Sequence, residues 1–158
     1  MVRRKENRSV WVLAFIFAGL VVVTGVSKLR GGKEIVEWRG DFEKARAEAA
    51  EKHQPVFLYF TAEWCGPCQE MRRTTWADKN VAQELGGKYV PVRLDLDREK
   101  ELAGKYHVEA IPWFAVLDEE GRVVKMTDGY MESGEFLEWL RGEGNGMVVP
   151  PVGVFGGR

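Results

Sequence analysis

Cysteine and histidine are scarce in this 158-residue chain, which holds two of each. One cysteine pair cannot supply the several cross-links that hold a small secreted disulfide scaffold together. A zinc site is also disfavoured, because zinc needs two further ligands and His53 and His107 show no paired ligand spacing. No metal and no other cofactor is therefore expected. Haem attachment is excluded by the lack of a Cys-x-x-Cys-His run, and no cysteine is placed to carry a lipid anchor. Excess charge is missing as well: the formal net charge is −1, and no basic stripe follows residue 40. The electrostatic footprint of a nucleic-acid binder is absent. With 45% hydrophobic and 30% charged residues, the chain suits one globular domain with appendages.

What the chain does hold is Trp64-Cys65-Gly66-Pro67-Cys68, its two cysteines separated by two residues. The run before them, Val56-Phe57-Leu58-Tyr59-Phe60, is continuously apolar, as expected for a strand covered on both faces. Gly66 and Pro67 suit the start of a helix, where the missing proline N–H costs nothing. A thiol at that helix start faces unpaired N–H groups and the positive end of the helix dipole, which stabilise its thiolate. Cys65 is therefore assigned as the nucleophile. Cys68, one turn on and turned inward, would resolve a mixed disulfide by attacking Cys65.

Residues 1–9 form a basic tail carrying Arg3, Arg4, Lys5 and Arg8. Residues 10–26 follow with no charge and a single polar side chain, Thr24. As a helix this run reaches about 26 Å, close to the hydrocarbon thickness of a bilayer. It is read as a single-pass membrane anchor, with a cleaved signal peptide as the competing reading. The short basic N-terminus favours a catalytic domain outside the cytoplasm, on the periplasmic side of a cell membrane. Residues 27–34 make a polar tether with a glycine pair, and 142–158 a flexible tail rich in glycine and proline.

Between them, residues 35–141 read as one α/β domain. Ile35 to Trp38 suggests a first strand, and Asp41 a cap for a helix from Phe42 to Lys52 that buries Phe42, Ala45, Ala49 and Ala50. His53 beyond its end is read as structural. Asp78 caps a short helix through Leu85, stopped by Gly86-Gly87. Tyr89 to Leu96 reads as a parallel strand, with Pro91 tolerated only near its start or at an edge. A helix from Glu99 to Tyr106 precedes Ile111-Pro112, and Trp113 to Leu117 and Arg122 to Met126 form a hairpin. Ser133 caps a last helix to Arg141, with Phe136, Leu137 and Leu140 inward and Trp139 at the margin. The fold class is α/β: a central mixed sheet flanked by helices.

Phe60-Thr61-Ala62-Glu63-Trp64-Cys65-Gly66-Pro67-Cys68 resembles the active-site segment of thioredoxins. Ile111-Pro112 resembles the loop in which thioredoxin-like proteins carry a cis-proline beside the disulfide, and Gly129 with the helix after it resembles the family's C-terminal end. The segment Gln69 to Val81, with its Thr75-Trp76 step, is more similar to the C-terminal periplasmic domain of DsbD-type membrane thiol reductases. The resemblance runs from about Ile35 to Arg141. It implies a thiol–disulfide oxidoreductase cycling Cys65 and Cys68 between dithiol and disulfide, reducing or exchanging protein disulfides with a membrane thiol as electron donor; a disulfide oxidase or isomerase, or a non-catalytic binding or chaperone module of the same fold, is the alternative. It implies that Trp64, Gly66, Pro67, Ile111 and Pro112 support the site and the substrate groove. Trp113 is open between the groove and the core. Tyr59 stands where the family carries a buried aspartate thought to help deprotonate the resolving thiol, and Arg93 where it carries that acid's lysine partner. A tyrosine is a poor base at neutral pH. Glu63, the nearest acid in sequence, is the candidate substitute for proton transfer, and slow or base-dependent resolution by Cys68 is expected.

Overall fold

A computed structural model of the chain describes residues 32–142. The basic tail, the apolar run, most of the tether and nearly all of the C-terminal tail lie outside the described residues. Among the described residues no helix is long and apolar enough to cross a membrane.

The element order is α1 (Phe42–Lys52), β1 (Val56–Thr61), α2 (Gly66–Arg73), a 3-10 turn (Thr75–Ala77), α3 (Lys79–Lys88), β2 (Val90–Asp95), α4 (Lys100–Lys105), β3 (Trp113–Leu117), β4 (Val123–Asp128) and α5 (Ser133–Arg141). The strands make one four-stranded sheet in the order β2-β1-β3-β4. β1 runs parallel to β2, and β3 is antiparallel to both β1 and β4. This is the mixed sheet flanked by helices that the sequence implies. It puts the continuously apolar β1 at the centre, where Phe57, Leu58, Tyr59 and Phe60 are all fully buried.

Alternation along the strands divides the interior in two. Val56, Leu58 and Phe60, with Val92, Leu94, Trp113 and Ala115, join Phe42, Ala45 and Ala49 of α1 and Ala103 of α4. On the opposite face Phe57, Tyr59 and Phe114 join Met71 of α2, Trp76, Val81, Leu85 and Phe136. α1 is capped as expected: the Asp41 carboxylate accepts from the Lys44 amide. Ala50, however, is exposed.

Four further local expectations need correction. Ile35 to Trp38 is not a strand. Only Arg39 pairs with β2, through a single parallel bridge to Val92, with Arg39 N donating to Pro91 O and Arg93 N to Arg39 O. The next bond of that ladder would come from the amide of residue 91, and proline has none. The Glu37 carbonyl left over is satisfied by Nη1 of Arg39. The second correction concerns Gly86-Gly87, which do not stop α3. The helix runs on to Lys88, Tyr89 N donates to Leu85 O, and Gln54 Nε2 donates to Gly87 O at its end. Glycine disfavours a helix by about 1 kcal/mol, which docking of Val81 and Leu85 in the core outweighs. Third, the N-cap of α5 is Glu132, in extended backbone with no side-chain cap bond, and Ser133 is the first helical residue. Fourth, Trp139 is buried rather than marginal, packed on Phe57 and Phe136, while Leu137 is only partly buried.

The last residues assigned to the tether are also tied down. Gly32 N donates to Arg73 O and Ile35 N to Trp76 O, so the chain lies along the end of α2 from Gly32 onward.

Candidate active site

The carboxyl end of β1 delivers the chain through Ala62, Glu63 and Trp64 to Cys65, the N-cap of α2. Cys65 holds extended backbone and accepts the Cys68 amide on its Sγ at 3.2 Å. Gly66 and Pro67 occupy the first helical positions, as the residues dictate. The thiols are joined as a disulfide with their Cα atoms 5.3 Å apart. Both cysteines are buried, Cys65 4% and Cys68 1% exposed, with Cys65 at the helix N-cap and Cys68 in the first turn. Cys65 N donates to Ala62 O, and Gln69 Nε2 to Glu63 O, which pins the loop before the pair.

The Ile111–Pro112 peptide is cis. The loop turns the Ile111 carbonyl to the disulfide, its oxygen 3.7 Å from Cys65 Sγ, and Ile111 packs against the cluster of Ala62, Cys65 and Cys68. Gly129 N donates to Pro112 O from the end of β4, fixing the loop from its other side. Gly129 holds a φ of 95°, a left-handed conformation suited to glycine. Trp64 is 66% exposed beside the disulfide, and its indole N–H donates to Asp97 at 2.8 Å. Asp97 lies in the loop after β2, and only the β1/β2 register brings it to Trp64.

Trp113 is not part of the groove. As the first residue of β3 it points to the α1 face, 4% exposed against Phe60 and Tyr106. Tyr59 fills the place of the missing acid with a ring fully buried among Trp38, Trp76 and Phe114. Its hydroxyl has no hydrogen-bond partner, and burial pushes its pKa up, so it is no base at neutral pH. Arg93 has found another acid. Its Nη1 donates to both oxygens of Glu34 at 2.7 and 2.8 Å, and Arg72 Nε lies 3.4 Å from the same carboxylate. Trp38 Nε1 completes the cluster with a bond to Glu34. Next to it, a cavity of about 240 Å³ opens behind Cys68, lined by Thr61, Glu63, Arg72, Arg93 and Asp95 among others. Glu63 itself is exposed. Among the described residues no group of His, Cys, Asp and Glu side chains could hold a metal ion.

A family model described as a thioredoxin-like domain matches residues 42–142. The chain belongs to the thioredoxin-like family. It is 36% identical to Thioredoxin-1 of Drosophila melanogaster over 88 residues, 56% of this chain and 78% of that protein. Over 114 residues it is 26% identical to the thiol:disulfide interchange protein DsbD of Photorhabdus laumondii, 69% of this chain but 19% of that longer protein. The solved C-terminal domain of Neisseria meningitidis DsbD in its oxidised form superposes with a TM-score of 0.58 at 23% identity, covering 68% of this chain and 99% of that domain. The thioredoxin-like fold, its relatives and the Cys65–Cys68 disulfide make this a thiol–disulfide oxidoreductase.

Proposed function

We propose that this thioredoxin-like protein is a membrane-anchored reductant of protein disulfides outside the cytoplasm, with Cys65 as nucleophile and Cys68 as resolving thiol. The observation that carries the assignment is the placement of the two sulfurs. Cys65 caps the N-terminus of α2 and meets the Ile111 carbonyl beside the cis-proline, while Cys68 lies within the first turn of the helix. The Cys65 thiolate, favoured by the helix N-terminus, attacks one sulfur of a client disulfide and releases the other as a thiolate. Cys68, once deprotonated, then attacks Cys65 Sγ, forming the internal disulfide and releasing the second client thiolate. Two electrons pass from the dithiol to the client. The edge of the Ile111-Pro112 loop and the exposed face of Trp64 supply the surface on which an extended client segment lies.

Anchoring rests on the uncharged run from Val10 to Val26, and the extracytoplasmic side on the short basic tail before it. A reductant placed there needs a membrane thiol donor to regenerate its dithiol. The likeness to DsbD supports that reading.

The deciding experiment is the reduction potential of the full chain in detergent, equilibrated against dithiothreitol or glutathione and read by thiol trapping. A value near about −270 mV is expected for a reductant, and one near about −120 mV would make the protein an oxidant. Cys65→Ser should abolish disulfide reduction; full function in that variant would instead mean a non-catalytic binding module. Membrane fractionation with protease accessibility tests the anchor and its side.

A further inference from the structure

The acid that the family places on β1 behind the resolving cysteine is missing here, yet a carboxylate stands nearby on the neighbouring strand. In the parallel β1/β2 register Tyr59 lies beside Arg93, and Thr61 beside Asp95. Residues two apart on a strand share a face. Asp95 is therefore on the sheet face that carries Tyr59, one strand over and two residues closer to the active-site end. That shift takes it out of the aromatic core and onto the wall of the cavity that Cys68 also lines.

We propose that Asp95 is the proton acceptor for Cys68, reached through this cavity. At about 240 Å³ the cavity has room for several waters, each occupying about 30 Å³ in the liquid, so a short water relay can join the two groups. Asp95 is held for the task. Its backbone carbonyl accepts from Arg98 and Glu99, and Oδ1 accepts from the Asp97 amide at 2.9 Å. The other carboxylate oxygen has no protein partner among the described residues, and Asp95 is only partly buried. The remaining charged groups around the cavity are Glu63 from the loop after β1, Arg72 from α2 and Arg93 from β2. Both arginines are engaged by Glu34 of the N-terminal segment, and among the described residues Asp95 makes no ion pair. Tyr59, below it on the same face, is too weak a base to compete.

In the step, the Cys68 thiol gives its proton through water to the Asp95 carboxylate as Cys68 Sγ bonds to Cys65 Sγ. The bond from Cys65 to the client sulfur breaks, and the leaving client thiolate takes up a proton from the relay. The inference rests on the thiol–disulfide exchange alone, not on the anchor, the compartment or the direction of electron flow.

The test is the resolution rate of the mixed disulfide between the full chain and a small peptide disulfide, followed by rapid acid quench from pH 5 to 9. The native chain should show a rate that levels off at low pH, because transfer to the carboxylate does not require prior ionisation of the thiol. Asp95→Asn should slow resolution about tenfold at pH 7 and turn the profile into one that rises tenfold per pH unit up to the pKa of the thiol. Asp95→Glu should recover part of the rate and the plateau. A merely electrostatic Asp95 would give the opposite sign, since removing its negative charge eases ionisation of Cys68 and speeds resolution. An Asp95→Asn variant at or above the native rate with an unchanged profile overturns the proposal, as does loss of the plateau in Glu63→Gln but not in Asp95→Asn. Because Asn preserves the acceptor for the Asp97 amide, the variant should fold, and retention of the native thermal midpoint checks it. The reduction potential of the native chain, measured separately, decides the direction of flux without bearing on this result.

Discussion

The two faces of the sheet are built from different materials. Against α1 and α4 small and aliphatic side chains, among them Ala45, Ala49, Leu58, Val92, Ala103 and Ala115, outnumber the aromatic Phe42, Phe60, Tyr106 and Trp113. Against α2, α3 and α5 it is aromatic: Trp76 sits at the centre, with Phe57, Tyr59, Phe114 and Phe136 each within 6.4 Å of it, ring centre to ring centre. The second face is also the one beneath the redox disulfide. A carboxylate set among those rings would be costly to ionise, because burial without full pairing penalises the charge. The face that supports Cys68 gives its inner position to an aromatic ring, and the acids stand instead at the rim, where water reaches them.

The largest loss should come from removing the central ring of the aromatic face. Trp76→Ala should cost about 4 kcal/mol in urea unfolding, since Trp76 is fully buried and its neighbours are too large to collapse into the space. Leu58→Ala, equally buried on the other face, should cost less, about 3 kcal/mol. Equal losses would mean that the aromatic face carries no special share of stability. Next comes the substitution that restores the missing acid. Tyr59→Asp should destabilise the fold by about 3 kcal/mol, because it buries a carboxylate and removes the ring contacts to Trp38, Trp76 and Phe114. It should nevertheless speed resolution by Cys68 several-fold near neutral pH. Unchanged rate and pH profile in this variant would show that the lack of an acid at position 59 limits nothing.

The sequence discloses the parts of the molecule that depend on local chemistry. Cys65, Gly66 and Pro67 start a helix because of what those residues are, and the apolar run before them marks a central strand. The position of Pro112 beside the disulfide follows from the family likeness. What stays hidden is set by register between distant segments. Nothing in the spacing of Glu34 and Arg93 announces that they pair across 59 residues. Asp95 and Asp97 become neighbours of Cys68 and Trp64 only once β1 and β2 are aligned. The failed first strand was legible in principle, because Pro91 removes the donor that its ladder requires. The even reading of Trp113 needed only the parity of β3, which sends its odd-numbered residues to the α1 face.

At the rim of the aliphatic face, α1 is tied to the β2 edge by charge. Glu48 accepts from Nε and Nη2 of Arg39 at 3.0 and 2.6 Å and from Lys52 at 2.7 Å. Those bonds, with Arg39 first, lower its pKa from 4.5 to about 2. A folded-state pKa below the unfolded one adds stability above pH 4.5 and loses it as the pH falls toward 2. Because the pair is partly exposed, solvent screening holds the gain to about 1 kcal/mol. Glu48→Gln should therefore be less stable than the native protein at pH 7 by that amount, with the gap closing between pH 4.5 and 2. A constant gap across that window would assign the loss to packing instead of charge.

The smallest expected effect is the most informative about the aromatic face. Tyr59 buries a hydroxyl that has no hydrogen-bond partner, and an unsatisfied buried hydroxyl costs free energy that its ring contacts do not depend on. Tyr59→Phe keeps the ring among Trp38, Trp76 and Phe114 while deleting the orphan oxygen. Stability should stay level or rise by up to about 1 kcal/mol in urea unfolding. Resolution by Cys68 should not change at any pH from 5 to 9, since burial holds the phenol protonated there. A slower Tyr59→Phe variant would mean that the hydroxyl relays the proton after all. The division between a silent aromatic face and an active charged rim would then fail at its central residue.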